Sequence, residues 1–529
     1  GNVTIMIDPN GNDWEYGYDA RDRKIFAAAP LADTTEWVYD AVGNVLQTIR
    51  PDGGITENSY DKMDRLKKTI DPKMQVTKFD YDAEGNAILL TDPGGNTTIF
   101  DYDPLSRKTK MIYPDGSFEG YSYDEAGNLK TYTNRKADIR TYTYDSRNRE
   151  IHSEWNTNTS PVDRAYDVVS RVRSIINKAS TINYVYNAAG ELTGERQKIK
   201  GTSTKNITYR SNADGLRDSL VYPDGTSVTY EYNSRELISD IYANDPTPLV
   251  KYRYDLNGNR IYKELENGVK TTYEYDAANR LLILDNRNNA GSVSRFDYGY
   301  DKVNRRTYAK RDHAKGDVYN YDAIDQVTGV QYDATDPDTN PTNPSATDNY
   351  TYDSNGNRKT MNRDGNITNY KANNLNQYTK AGAASLKYDT TGNLTKYNKW
   401  NYTYDAENRL IKADSASTTA SFEYDAFNRC VKRTINGTAT LFYYDDWNLI
   451  EERNINDQLL AKYIHGARID EILKRITTGA NIYAHQDALN NTTAITDNNA
   501  SIKETYRYNA FGTPTIQNAN GVTVSASTV

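Results

Sequence analysis

Apolar and polar positions along this chain alternate in short runs and do not recur with a helical period. Arg140-Thr141-Tyr142-Thr143-Tyr144 and Tyr350-Thr351-Tyr352 show it most plainly. The same spacing separates Tyr16 from Tyr18, Phe79 from Tyr81, Phe100 from Tyr102, Tyr121 from Tyr123 and Tyr402 from Tyr404. A period of two puts both rings on one face of a strand. Each run ends in a turn, as in Asp40-Ala41-Val42-Gly43-Asn44, Asp82 to Gly85-Asn86 and Asp124 to Gly127-Asn128. The Asp accepts from backbone amides two residues on, and the Gly takes the positive φ that a tight turn needs. Where the Gly is replaced, as at Asp64 or Asn408, Asp and Asn still tolerate the left-handed conformation. Half a repeat later a second turn follows, written Pro51-Asp52-Gly53, Pro93-Gly94-Gly95, Pro114-Asp115-Gly116 and Pro223-Asp224-Gly225. Two turns leave two strands of ordinary length, so one repeat is a β-hairpin.

The strand ends keep a strict beat. Tyr18-Asp19, Tyr39-Asp40, Tyr60-Asp61, Tyr81-Asp82, Tyr102-Asp103, Tyr123-Asp124 and Tyr144-Asp145 stand 21 residues apart, and the pair persists more loosely through Tyr444-Asp445. A fixed period means an array of one small unit that buries its apolar face only against its neighbours. The expected fold is all-β: continuous antiparallel β-hairpin repeats coiled into a hollow shell, since consecutive hairpins pair and sheets twist with one hand. Regular repeats are expected over 1–175, repeats of variable length over 176–333, a low-complexity loop over 334–347 and shorter repeats over 348–462. The pattern changes over 463–515, and a polar tail occupies 516–529.

Composition bears on whether such a sheet encloses a packed core. The hydrophobic fraction is 37% including 46 Tyr, against only 9 Phe. Removing Tyr and adding Gly leaves about 34%, below the roughly 45–50% of average domains. A Tyr ring packs in a ladder while its hydroxyl asks for a partner or water, so a wet-faced shell is expected over a filled barrel. Net charge is −8 with no basic stripe, which argues against nucleic acid. The lone Cys430 excludes an internal disulfide, and no run of 18 apolar residues predicts a membrane span. The sequence opens in mid-pattern at Gly1-Asn2-Val3 without an initiator Met or signal peptide, and reads as a piece of something longer.

With its Tyr-Asp, Gly-Asn and Pro-Asp-Gly elements, the chain resembles the YD-repeat, or Rhs-repeat, family over essentially its whole length. That family includes Rhs polymorphic toxins, the C component of insecticidal toxin complexes, wall-associated proteins and teneurins. The last segment resembles the start of the Rhs-associated core. Tyr463-Ile464-His465-Gly466 is similar to its Tyr-x-x-Gly step. Tyr483, His485 and Asp487 are similar to its Tyr-x-His-x-Asp, Thr496-Asp497 to its Thr-Asp, and Tyr508-Asn509-Ala510-Phe511-Gly512 to its Tyr-Asp-x-Phe-Gly. Asn490-Asn491 and Asn509 depart from the pattern. In toxin members the core continues to an Asp-Pro-x-Gly self-cleavage motif and a variable toxin. Here Val529 follows Gly512 by 529 − 512 = 17 residues, so neither is expected in this sequence.

No His-Glu-x-x-His, Gly-x-Ser-x-Gly or phosphate loop is present, so no enzyme activity and no cofactor are expected. Of His152, His313, His465 and His485, the last forms the best candidate pair, with Asp487, read chiefly as a structural hydrogen bond. Asp8-Pro9-Asn10-Gly11-Asn12, Asp255-Leu256-Asn257-Gly258-Asn259 and Asp353-Ser354-Asn355-Gly356-Asn357 have the opening of calcium loops but lack the distal Glu, and read as plain turns. The Tyr ladder could take sugars, yet cross-strand packing explains it first. The resemblance implies a shell that encloses a polypeptide cargo, its own C-terminal region above all, in a secreted or cell-surface bacterial protein. The alternative is an extracellular adhesion module that binds proteins or glycans through its outer surface.

Overall fold

The computed structural model describes residues 1–312 and 314–527, and among them it contains fifty β-strands and no helix. Strands run antiparallel to their neighbours in sequence in one long sheet. Asp13–Tyr18 pairs with Lys24–Ala28, that strand with Thr34–Tyr39, and that one with Val45–Ile49. The fold is thus the serial-hairpin sheet that the two-residue alternation predicts. The Tyr-Asp strands of the regular repeats also carry a register shift just before the Tyr. Gly17 faces Phe26 but Tyr18 faces Lys24, and Ser59 faces Lys68 but Tyr60 faces Leu66. Such a bulge sharpens the local twist at the same point of each repeat.

The chain divides into two compact units that are not consecutive segments. One comprises 1–118, 253–262 and 271–384, the other 119–252, 263–270 and 385–529. Among the described residues no hydrophobic side chain before Trp155 is fully buried. That part of the sheet is a wall one layer thick, as the thin aliphatic composition suggests. Later stretches of both units differ: Leu284, Tyr298 and Val330 are buried in the first, and Ile207, Ile241, Leu249, Tyr252, Leu441, Ile450, Ile464, Leu473 and Tyr483 form a larger core in the second. The 334–347 segment is an enlarged hairpin tip whose ends run in strands, Ala334 and Thr335 closing Val327–Thr335 and Ala346 opening Ala346–Tyr352.

Within each unit, two stretches of sheet meet edge to edge through their turns. In the first unit Arg50 pairs with Asp325 (2.7 Å), Lys73 with Asp322 (2.8 Å) and Arg305 with Asp52 (3.4 Å), and Asn374 donates to the Pro114 carbonyl (2.9 Å). The Pro-type turns of residues 1–118 therefore abut the Tyr-Asp turns of the later stretch. In the second unit Lys136 pairs with Asp389 (2.6 Å), Arg140 with Glu407 (2.7 Å), Lys205 with Asp457 (2.5 Å) and Lys462 with Asp224 (3.0 Å). Among the described residues no strand pairing and no backbone-to-backbone hydrogen bond crosses either seam; side chains supply every polar link.

Candidate functional site

The repeat turn is built around its Asp. One oxygen of Asp61 accepts from the Met63 and Arg65 amides (2.9 and 3.1 Å), and the other takes Arg65 Nε (2.8 Å). Asp40 does the same with the Val42, Gly43 and Asn44 amides and Asn44 Nδ2. Asp19, Asp82, Asp103, Asp124 and Asp145 repeat the arrangement. For Asp145 the Arg149 guanidinium, aided by backbone amides and opposed by burial, holds the carboxyl down at about 2.

These turns follow a pairing rule that reading the Tyr-Asp dipeptide alone misses. A Gly three residues after the Asp goes with Asn at the fourth, as at Gly43-Asn44, Gly85-Asn86 and Gly127-Asn128. Asp, Asn or Ser there goes with Arg, as at Asp64-Arg65, Ser106-Arg107 and Asn148-Arg149. The Arg lies over the next Tyr ring, 4.7 Å for Arg65 over Tyr81, and donates to the next Asp carbonyl, 2.7 Å for Arg65 to Asp82. The Asn donates instead to the positive-φ side chain of the next turn, Asn44 to Asp64 (3.0 Å) and Asn128 to Asn148 (3.1 Å). An Asp or Asn in the left-handed position, φ 59° at Asp64 and 58° at Asn148, is thus an acceptor that Gly could not be. Gly43, Gly85 and Gly127 sit at φ 115°, 96° and 88°.

The Tyr hydroxyls are committed too. Tyr39 donates to the Lys24 carbonyl (2.7 Å), Tyr60 to Val45 (2.9 Å), Tyr81 to Leu66 (2.8 Å), Tyr102 to Ala87 (3.0 Å) and Tyr144 to Leu129 (2.9 Å). The acceptor sits where the ladder has not begun: Lys24–Ala28 pairs with Thr34–Tyr39 only from Phe26 onward. Tyr18 and Tyr123 end their strands opposite Lys24 and Leu129. The preference for Tyr over Phe therefore reflects a backbone acceptor at the bulge. At these positions, the hydroxyl is not a sign of a wet face.

The C-terminal motif gathers only in part. His485 is fully buried with Nε2 2.8 Å from Thr496 Oγ1, and burial, reinforced by Lys263, holds its pKa down at about 3. Asp487 is not its partner. It lies past the strand Asn481–Gln486 and caps the next turn, accepting from the Leu489 and Asn491 amides. Asn267 reaches across the seam to Thr496 Oγ1 and the Asp497 carbonyl, both at 3.0 Å, while Asp497 caps Asn499 and Ser501. Tyr483 donates to Glu266. Beneath them Lys263 and Glu471, 3% and 2% exposed, lie 3.7 Å apart. Gly466 of the Tyr-x-x-Gly step has a steric reason, since a Cβ there would fall 2.6 Å from the Tyr252 hydroxyl and the Glu471 carboxyl carbon. Tyr508 donates to the Thr492 carbonyl (2.8 Å), Phe511 is half exposed, and Gly512 takes φ 82°.

His152 pairs with Asp163 (2.6 Å), His465 Nε2 donates to the Leu449 carbonyl (2.7 Å), and His313 lies outside the described residues. The calcium-like turns are clasps of the first seam. Asn10 Nδ2 donates to Asp255 (2.9 Å) and Asn257 Nδ2 to Asp8 (2.8 Å); Asn355 Nδ2 donates to Asp92 (2.8 Å) while its Oδ1 accepts the Gly94 amide (2.6 Å). Amide N–H groups thus meet the carboxylates that a cation would use. Among the described residues no three His, Cys, Asp or Glu are placed to hold a metal, and no helix is long and apolar enough to cross a membrane.

Residues 313–521 match the Teneurin YD-shell family and residues 81–117 the RHS Repeat family. The chain is 26% identical over 318 residues to the tRNA3(Ser)-specific nuclease WapA of Bacillus spizizenii, covering 58% of this chain and 13% of that protein. To the tRNA nuclease WapA of Bacillus subtilis it is 27% identical over 208 residues, covering 38% of this chain and 8% of that protein. The crystal structure of TcdB2-TccC3 superposes with a TM-score of 0.80 at 13% identity, covering 98% of this chain and 31% of that one. The chain thus spans a minor part of each relative. Its periodic Tyr-Asp turns and these matches identify the repeats of this chain as YD, or RHS, repeats, with the Teneurin YD-shell model fitting residues 313–521 and the fold of TcdB2-TccC3 spanning nearly the whole chain.

Proposed function

We propose that this chain is a shell-forming segment of a longer secreted or surface protein of bacterial type, and that it encloses a polypeptide, its own C-terminal region above all. The observation that carries the reading is the single-layer wall before Trp155. Half-buried side chains there have no second layer of this chain to cover them, and an enclosed polypeptide would supply one. The TcdB2-TccC3 fold supports it, because a structure of that protein is described as lacking a hypervariable C-terminal region. We assign no chemistry to the chain itself. The nuclease activity in the WapA names belongs to proteins of which this segment matches 13% and 8%, and His152, His465, His485 and Asp487 already have structural partners.

The test is protease protection in the full natural protein. Enclosure predicts that the region after this segment resists trypsin until the seams are opened by acid or denaturant. Cleavage of that region at the rate of an unfolded chain in the intact protein would sink the reading. It would favour the alternative of adhesion through the outer surface, towards which the Teneurin YD-shell match points.

A further inference from the structure

The second unit contains a cavity of about 450 Å³ beside its seam. The connection between Glu150–Trp155 and Val162–Tyr166 forms part of its lining, through Thr157 to Ser160. Thr159 Oγ1 accepts the Ala406 amide (2.8 Å), Trp155 Nε1 donates to Glu407 (2.8 Å), and Ser160 Oγ accepts the Lys178 amide (2.7 Å). The space is therefore framed by fixed bonds. Its volume falls in the roughly 300–1,000 Å³ range of small-molecule pockets, which pair apolar walls with a few placed polar groups.

The walls divide by chemistry. Ile411, Phe422 and Tyr424 from one stretch of sheet form an apolar and aromatic side. Three of the charged lining groups are neutralised, Lys136 by Asp389 (2.6 Å), Arg409 by Asp405 (2.7 Å) and Glu423 by Lys432 (2.7 Å), while Asp138 accepts from the Asn134 side-chain amide (3.1 Å) and keeps its charge, so that the remaining lysines outnumber it by one. Lys178 and Lys200 are left. They come from two successive hairpin tips, are exposed, and have no carboxylate partner among the described residues. A cavity with one greasy wall and two unpaired ammonium groups at its edge selects for a ligand with both characters.

We propose that this cavity binds an amphipathic anion, a molecule whose aromatic or aliphatic body lies against Ile411, Phe422 and Tyr424 and whose single carboxylate, sulfonate or phosphate group is held by Lys178 and Lys200. The inference is independent of enclosure, since it concerns only the seam of the second unit. Anilinonaphthalene sulfonate is the probe and phenylnaphthylamine, the same ring system without the charge, its control. One saturable site is expected for the sulfonate, weakened by raising salt and weakened about tenfold in the Lys178→Ala/Lys200→Ala double variant, as loss of charge-assisted bonds implies. Both lysines are exposed, so the variant keeps its fold, checked by its far-UV spectrum. Ile411→Asp should abolish the site. Equal affinity for the neutral control, unchanged affinity in the lysine variant, or no saturable binding would each overturn the proposal.

Discussion

Substituting Asn355 by Asp alters one amide group and inverts the logic of a seam clasp. The Asn355 side chain donates to Asp92 (2.8 Å) and to Asn376 (3.0 Å) while accepting from the Gly94 amide (2.6 Å). The variant keeps the acceptor and loses the donor. Loss of a hydrogen bond to a charged group costs about 1.5–3 kcal/mol. The new carboxylate then faces Asp92. At about 4 Å two like charges repel by about 1 kcal/mol in bulk water and about 4 at an effective dielectric of 20. Both groups are part-buried at the surface, so the repulsion lies between these figures and nearer the lower one. Opening of the seam at 92–96 and 353–357 should become easier by about 3 kcal/mol at pH 7. The sign of the pH effect follows: repulsion raises the folded-state pKa of the introduced Asp above its unfolded value near 3.9. The penalty is thus full at neutral pH and relieved as pH falls through that raised value. Hydrogen exchange of the two turns, read at pH 7 and pH 4 for wild type, Asn355→Asp and Asn355→Ala, measures it. Equal protection in Asn355→Asp and Asn355→Ala at pH 7, or a penalty that does not shrink in acid, would refute the clasp.

Three further outcomes are expected. Tyr81→Phe should loosen the hairpin from Leu66 to Tyr81 by about 1 kcal/mol in local exchange, because the Leu66 carbonyl loses its donor, whereas Tyr397→Phe at an exposed ring should change nothing measurable. Gly466→Ala should destabilise the second unit by about 1–3 kcal/mol in urea unfolding, since the added methyl forces Glu471 and Tyr252 apart. Acid should loosen the regular repeats between about pH 4 and pH 2. The Asp145 carboxyl is held low by Arg149, so its contribution is complete above the unfolded pKa and lost as pH falls through the folded one. Strand signal that survives unchanged at pH 2 would contradict the capping role.

The strands and turns were legible because one rule acts at every repeat: alternation fixes the face, and the Asp that ends it has amides two and four residues on to cap. Tyr39, Tyr60 and Tyr81 were placed correctly as strand ends, but their hydroxyl acceptors were not, because the bulge that frees Lys24, Val45 and Leu66 leaves no mark in the alternation itself. The link from Asn44 or Arg65 to the following turn was present in the sequence as the co-occurrence of Gly with Asn and of Asp, Asn or Ser with Arg. The seam contacts had no such signal. Asn257 meets Asp8 and Asn355 meets Asp92 across 249 and 263 residues of chain, a separation that depends on accumulated sheet twist. His485 and Asp487 sat two apart as strand partners should, yet the strand stops at Gln486 and the second residue turns away to cap.

Because each seam is joined by side chains alone, the two directions of the sheet differ in mechanical character. Pulling along a strand must shear a ladder of backbone bonds together, whereas prying at an edge meets one Arg50–Asp325 or Lys136–Asp389 contact after another. Ionic strength, which screens such pairs but leaves ladders intact, should lower the prying force and spare the shearing force, so the wall gives way along a line drawn in advance by its charged turns.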